Sequence, residues 1–376
     1  MNFVTIITLG CRTNQAESDE IGRKLQKQGV EVAFGLQKNM QDNLVGGFYI
    51  INTCAVTGVA ERKSRYEVAK IVKNDPDARI IIIGCATQND EAQFKSLNII
   101  KVFGVDKEKV VEYILGLSER ENTTSGVLYD KRNTSDNAVG DKELQARGKT
   151  KQVFVKVQDG CNNFCTFCIV PHLRGRSRSR TVSEIVAEVK GLDLGEGRLV
   201  VITGINLGVY NGGGAERVGL IELCEAVDKI GVPFRLSSLY CDVVTDEFVE
   251  RLKACQNFVP RFHLSLQSGS DKVLESMNRK YTVLQFEKSV GLLRRAWAGV
   301  EISADVIVGF PTEGQDDFEG TRRLLERLKL DDLHIFPYSP RKGTIASSWS
   351  QITQHVVVER ARILKKLHES IRAEKD

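Results

Sequence analysis

Six of the nine cysteines fall into two triples whose settings suggest metal chemistry. Cys161, Cys165 and Cys168 lie in GCNNFCTFC with CxxxCxxC spacing. Thiolates this close along one loop can wrap an iron–sulfur cluster, and three ligands instead of four leave one iron open to another group. The competing reading is zinc, with His172 completing a Cys3His set. Pro171, immediately before His172, works against the compact turn that set needs. The second triple is dispersed: Cys11, Cys54 and Cys85 each close an apolar run, in ITLGC, IINTC and IIIGC. Strands of a parallel sheet end on one edge, so three such thiols would share a rim within reach of a common metal centre, although spacing alone does not prove that they converge. A single cysteine there would read as a small buried residue, but the repetition favours the metal. Gly10 and Gly84 leave room for close backbone approach. Cys224 and Cys255 sit in helical patterns and read as core, while Cys241 stands at a strand end without a partner thiol.

A second kind of chemistry is cationic. Arg174, Arg176, Arg178 and Arg180 alternate with small residues in RGRSRSR, with no acidic residue before Glu184. Four guanidinium groups beside the cluster loop can grip a phosphate backbone, against the plainer reading of a solvated charge run. Arg279, Lys280, Arg341 and Lys342 follow predicted strands and extend the same basic rim. His263 and Asp305 receive no chemical assignment.

The elements that must position these residues are legible as alternating patterns. Apolar runs at 3–9, 47–51 and 79–83 alternate with amphipathic stretches at 15–29 and 60–74, a βαβαβ pattern that predicts a parallel sheet. Residues 118–151 turn polar, with Gly, Ser, Thr and Asn scattered through them, and read as a linker with a short strand at Val127–Tyr129. Beyond it, runs at 153–157, 199–203, 234–239, 262–266, 302–308 and 333–336 interleave with helical patterns. Six strands so arranged predict a complete or partial (β/α) barrel, whose ligand chemistry gathers at the C-terminal strand ends. The expected organisation is an α/β chain with an N-terminal parallel-sheet domain over 1–118, a linker over 119–151 and a barrel over 152–376.

Composition narrows the classes. With 376 residues, 41% hydrophobic, 27% charged and 7% aromatic, the chain is too apolar for disorder and lacks a collagen or coiled-coil signature. Fifty-three Lys and Arg against 49 Asp and Glu give a net charge of +4, which permits an anionic partner without requiring one. MNFVTIITLG has no basic leader, and no apolar run approaches a membrane span, so an unprocessed cytoplasmic chain is expected. In a reducing compartment an odd cysteine count points to metal or redox chemistry instead of disulfides.

On these motifs the chain resembles the radical S-adenosylmethionine (SAM) methylthiotransferases. The CxxxCxxC loop carries an aromatic residue before its last cysteine, Phe167. TLGCRTNQAES, INTCAVT and GCATQ are similar to the three cysteine segments of that family's N-terminal domain. RGRSRSR, ITGINLG, SLQSGSDKVLESMNRKYT, DVIVGFPTE and FPYSPRKGT continue the likeness through the core. TLGCRTNQAES looks most like the branch acting on N6-threonylcarbamoyladenosine in tRNA, at position 37 beside the anticodon. Other branches act on isopentenyladenosine in tRNA or on an aspartate of a ribosomal protein.

The resemblance implies two [4Fe–4S] clusters. Cys161, Cys165 and Cys168 would hold the cluster whose open iron binds SAM, which one-electron reduction cleaves to a 5′-deoxyadenosyl radical. Cys11, Cys54 and Cys85 would hold an auxiliary cluster carrying the sulfur that is methylated by a second SAM and inserted at C2 of the adenine. Phe167, Thr203, Gly204, Asn206, Gln267, Ser268 and Gly309, with Pro311, fall where the family surrounds SAM; for Pro311 turn chemistry is an equal reading. The implied partners are tRNA and an external electron donor; no membrane partner is expected, and the oligomeric state is not readable. The family usually continues past the helix VVERARILKKLHESIRAEKD into an RNA-binding TRAM domain. The sequence stops at Asp376, so either a naturally short member or a truncation is expected, and in both cases the resemblance carries the cluster chemistry and not the RNA affinity. Ala86, Cys241 and Asp242 depart from the family's usual residues. Two other classes fit parts of the pattern: an iron–sulfur electron carrier, and a zinc-dependent RNA-binding module.

Overall fold

A computed structural model describes residues 3–35, 47–89, 94, 98–105, 108–124, 152–195, 197–214 and 218–374. The chain forms two compact units, Met1–Lys151 and Gln152–Asp376.

The first unit is a five-stranded, all-parallel sheet. Its strands are β1 (Phe3–Thr8), β2 (Glu31–Phe34), β3 (Phe48–Thr53), β4 (Arg79–Gly84) and β5 (Ile99–Gly104), in the order β2-β1-β3-β4-β5. The connecting helices are α1 (Arg12–Lys27), α2 (Gly58–Asn74), the short α3 (Cys85–Asn89) and α4 (Glu108–Thr124). Strands buried on both faces read as continuous apolar runs, and the IIII of β4 is fully buried. One face packs Val4, Ile6, Ile50, Ile81 and Ile83 against Ile21 and Leu25 of α1 and Val110 and Ile114 of α4. Thr57 caps α2 by accepting the Ala60 N–H at 3.1 Å.

Two strands escape the sequence reading. β2 has only four residues, and β5 lies at the sheet edge with Ile100 and Lys101 exposed, so neither shows a sustained apolar run. Helix α4 continues to Thr124, past the predicted linker start, and docks on the sheet through Val110 and Ile114. The predicted strand Val127–Tyr129 and the rest of the expected linker lie outside the described residues.

The second unit carries six parallel segments of a partial (β/α) barrel. They are β6 (Gln152–Asp159), β8 (Leu199–Gly204), the paired short strands β9 (Phe234–Leu236) and β10 (Ser238–Leu239), β11 (Arg261–Gln267), β12 (Glu301–Val308) and β13 (Asp332–Pro337). A two-residue strand, β7 (Arg178–Ser179), adds antiparallel to β6. The predicted third strand, 234–239, is interrupted at Ser237: β9 pairs with β8, and β10 pairs with β11. One segment thus joins the two halves of the curved sheet.

Around the strands lie α5 (Val170–Arg174), α6 (Val182–Lys190), α7 (Leu220–Asp228), α8 (Asp246–Ala254), α9 (Asp271–Ser276), α10 (Val283–Ala296), α11 (Gln315–Leu328) and α12 (Gln354–Ala373). The core lies between strands and helices. Phe262, Leu264 and Leu266 of β11 and Ile302, Ala304, Val306 and Val308 of β12 pack with Phe286, Leu293, Phe318 and Leu325. By the two-residue period of a strand, His263, Ser265 and Gln267, and Ser303, Asp305 and Ile307, face the opposite, lumen side.

Candidate functional site

In the first unit the three cysteines stand at the C-terminal ends of neighbouring strands: Cys11 after β1, Cys54 after β3 and Cys85 after β4. The strand order reverses between β1 and β3, and such switch points are where open parallel sheets bind ligands. Gly10 packs directly on Cys54: a Cβ there would lie 2.6 Å from Cys54 Cβ and 2.8 Å from its sulfur. Its φ of +103° also lies in the glycine region. Side-chain amides fasten the rim. Asn14 donates from Nδ2 to the Leu9 and Thr53 carbonyls at 2.8 and 2.9 Å, tying the ends of β1 and β3. Asn52 donates to the Asn14 carbonyl at 2.9 Å, and the Thr53 hydroxyl to the Ile83 carbonyl at 2.7 Å. Cys54 and Cys85 are buried, and Cys11 is exposed at the N-cap of α1.

The second unit presents its cysteines on the loop after β6. Contacts from distant segments set its shape. Asn278 donates from Nδ2 to the Asn163 and Phe164 carbonyls at 2.9 and 3.2 Å, and the Thr166 hydroxyl donates to the Ser276 carbonyl at 2.8 Å. Phe164, with φ 46°, takes the left-handed turn that these bonds hold. Gln158, buried, organises the base: its Oε1 accepts the Asn206 N–H at 2.8 Å while its Nε2 donates to the Gly160 carbonyl at 2.7 Å and to Ser177 Oγ at 2.9 Å. Asp159 accepts from Arg174 Nη1 at 3.0 Å and from the Gly160 N–H at 2.8 Å. Burial alone would raise its pKa, but Arg174, Lys156 and the hydrogen bonds hold it well below the usual range.

Donors are aimed at the sulfurs. Arg279 Nη1 lies 3.4 Å from Cys165 Sγ, and the Asn163 N–H 3.5 Å and Asn206 Nδ2 4.0 Å from Cys161 Sγ. Burial and the adjacent Cys165 push the Cys168 thiol up to about 12, so a positive centre is needed for these groups to ionise together. N–H groups directed at thiolate sulfur are the surroundings of an iron–sulfur cluster. Zinc fits less well. Among the described residues neither cysteine triple holds its sulfurs all within 4.8 Å of one another, whereas tetrahedral zinc–thiolate bonds bring sulfurs to about 3.8 Å. His172 is exposed and packs edge-on against Phe164. The loop triple and its donors therefore fit cluster ligation, and the rim triple sets three thiols along one sheet edge.

The residues expected around SAM occupy the strand ends of this unit. Thr203 and Asn206 are buried at the end of β8, and Gly204 packs on Gln158, to which a Cβ would come within 3.0 Å. Phe167 stacks edge-on with Phe310, centroids 6.3 Å apart. Gln267 ends β11 with φ 68°, and Ser268 is fully buried. Gly309, φ +75°, lies against Val357 of α12, and its N–H donates to Glu313 Oε2 at 2.6 Å. The same oxygen accepts from Arg360 Nη1 at 2.7 Å, so α12 fastens the turn after β12.

The six arginines read as a phosphate grip separate into two groups. Arg176 and Arg178 are exposed. Arg174 is buried against Asp159, Arg279 is buried against Cys165 with its guanidinium 4.1 Å from the Tyr240 ring centre, and Arg341 is buried. Arg180 is half-buried and bonds Glu188 at 2.6 Å. The alternation in RGRSRSR concealed this division, because the acids that capture Arg174 and Arg180 stand outside the run. Gln158, Asp159 and the Arg279–Cys165 contact had no motif to announce them. No described helix is long and apolar enough to cross a membrane.

Comparison with known proteins follows the same two-unit division. The family model described as the radical SAM superfamily matches residues 155–325, and that described as uncharacterized protein family UPF0004 matches residues 3–104. A Rickettsia prowazekii protein named threonylcarbamoyladenosine tRNA methylthiotransferase MtaB is 35% identical over 365 residues, covering 96% of this chain and 81% of that protein. The Aquifex aeolicus protein of the same name is 35% identical over 380 residues, with 99% and 89% covered. A Thermodesulfovibrio yellowstonii tRNA-2-methylthio-N(6)-dimethylallyladenosine synthase is 32% identical over 380 residues, with 99% and 84% covered. The fold is similar to that of the radical SAM methyltransferase TsrM from Kitasatospora setae, solved with cobalamin and a [4Fe-4S] cluster: TM-score 0.66 at 15% identity over 92% of this chain and 77% of that one.

Proposed function

This chain belongs to the radical SAM methylthiotransferase family, and on that premise we propose that it places a methylthio group on C2 of N6-threonylcarbamoyladenosine in tRNA. The carrying observation is likeness to relatives named for that nucleoside that runs across both cysteine-bearing units and not across the radical core alone.

Membership implies SAM and a [4Fe–4S] cluster. In this reading Cys161, Cys165 and Cys168 hold that cluster, and Cys11, Cys54 and Cys85 hold a second. When bound, these groups supply radical hydrogen removal and a transferable sulfur, with an external reductant providing electrons. The chain's own residues supply placement. Arg279 puts a buried positive charge beside Cys165, and Asn206 and the Asn163 N–H present donors to Cys161. Gly204, without a side chain, lets the end of β8 pack on Gln158, while Phe167, Thr203, Gln267, Ser268 and Gly309 complete the surroundings of SAM. Arg176 and Arg178 meet the tRNA backbone; Arg174 and Arg279 are committed to Asp159 and Cys165 instead.

The test is an anaerobic reaction of cluster-loaded protein with reductant, SAM and tRNA bearing threonylcarbamoyladenosine, with dimethylallyladenosine tRNA run in parallel. Nucleosides and 5′-deoxyadenosine are read by mass spectrometry. Methylthio product on the first tRNA is expected. Product only on the second transfers the assignment to that nucleoside, and 5′-deoxyadenosine with neither product removes both.

A further inference from the structure

The lumen face of β11, β12 and β13 carries a side-chain group that the proposed reaction does not use. His263, Asp305 and His334 stand on three adjacent strands, with His263 in register with Ser303 and Asp305 with His334. His263 Nε2 lies 3.0 Å and His334 Nδ1 3.2 Å from the same oxygen, Asp305 Oδ1. One donor atom from each residue lies within 4.8 Å of the other two; among the described residues this is the group of three His, Cys, Asp or Glu drawn so close. The imidazole rings are 4.9 Å apart and tilted by 32°.

Hydrogen-bond partners surround the ring nitrogens. The Ser303 hydroxyl donates to the Phe262 carbonyl at 3.2 Å, so toward His263 Nδ1, 2.8 Å away, it acts as acceptor. That places the ring proton on Nδ1 and leaves the lone pair of a neutral His263 on Nε2, facing Asp305. On His334, Nδ1 is within hydrogen-bond distance of Asp305 Oδ1 at 3.2 Å and Nε2 lies 3.6 Å from Asp332 Oδ2, so each ring nitrogen faces a carboxylate. Two imidazole nitrogens and a carboxylate oxygen thus converge, an arrangement that protons on the rings or a cation bound in their place can hold together. Donor separations of 3.0 and 3.2 Å match neighbouring positions around an ion with bonds of about 2.1 Å. An oxygen partner on the remote nitrogen is the usual support of a ligating histidine. The His263 side chain is 5% exposed and that of His334 41%, so the group is closed on one side and open on the other.

We propose that His263, Asp305 and His334 bind a divalent first-row transition cation through two imidazole nitrogens and one carboxylate oxygen, with further positions open to an oxygen ligand. Two imidazoles with a single carboxylate select ions such as zinc, cobalt, nickel and ferrous iron over magnesium and calcium. The alternative occupant is a proton, which would make the same residues an ion-paired clamp across three strands.

The experiment uses cluster-loaded protein equilibrated anaerobically with Co2+ and desalted, with cobalt and iron counted and the cobalt K-edge absorption spectrum recorded. About one cobalt per chain with a nitrogen and oxygen first shell is expected. Asp305→Asn, which preserves shape, weakens cobalt binding by on the order of tenfold or more at unchanged iron content; His334→Ala, at the exposed edge, is the second variant. Sulfur in the cobalt shell, undiminished affinity in both variants, or no retained cobalt overturns the proposal.

Discussion

Cys161, Cys165 and Cys168 belong to one loop, and a few backbone turns bring them together; Cys11, Cys54 and Cys85 share a sheet edge only after three strands have paired in register. The loop triple is backed by charge, with Arg279 at its sulfur and Arg174 with Asp159 at its base. The rim triple is backed by neutral amides and hydroxyls, Asn14, Asn52 and Thr53, which join strand end to strand end. A ligand set made locally tolerates distant change and depends on its immediate electrostatics, whereas one made by topology depends on every turn that sets the rim.

The largest expected effect divides the two by reaction step. Cys161→Ala abolishes both 5′-deoxyadenosine and methylthio product, whereas Cys54→Ala removes roughly half the iron and the methylthio product yet still cleaves SAM. Iron analysis and mass spectrometry of the same samples read this, and equal loss of cleavage in both variants would erase the distinction. Next, Gly10→Ala forces a Cβ against Cys54 at positive φ and destabilises the first unit by about 3 kcal/mol. It should lose rim iron while the loop iron stays, as seen in iron counts and denaturant midpoints.

At the loop the effects are electrostatic. Asp159→Asn costs the second unit about 2 kcal/mol at neutral pH. Because its folded-state pKa lies below the ordinary 3.8, this contribution is present above that value and disappears as pH falls through the folded-state value. Urea melts of parent and variant should therefore differ at pH 7 and converge in acid; a gap that does not narrow would locate the effect elsewhere. The smallest change is in potential. Arg279→Gln withdraws positive charge from Cys165, so the loop cluster becomes harder to reduce, by on the order of 50 mV, in a redox titration followed by electron paramagnetic resonance. In the proposed two-cluster reading, the cluster at the rim keeps its potential.

How far the sequence disclosed each region follows from the same contrast. The CxxxCxxC spacing is a local fact, and the loop is where it was expected. Three strand-ending cysteines imply the rim, and the parallel order β1-β3-β4 carries them to one edge. What stayed hidden depends on long-range contact. Arg279 reaches Cys165 from beyond α9, Asn278 bonds the Asn163 carbonyl, and Arg174 turns inward to Asp159 although its run reads as surface charge. His263 and His334 are single histidines in separate strands, and only the register of β11, β12 and β13 makes them neighbours.

The bond from Arg360 to Glu313, and the packing of Val357 on Gly309, have a consequence for the order in which the protein is made. A ribosome delivers the cysteine loop and β12 well before it delivers α12. Until then the buried Glu313 lacks its cation and the 309–313 turn lacks its cover. In ribosome-arrested chains, that turn should gain protease resistance only when arrest lies far enough past Arg360 for α12 to leave the exit tunnel; earlier protection would show that the turn closes without it. Closure of the barrel mouth is thereby tied to the arrival of α12.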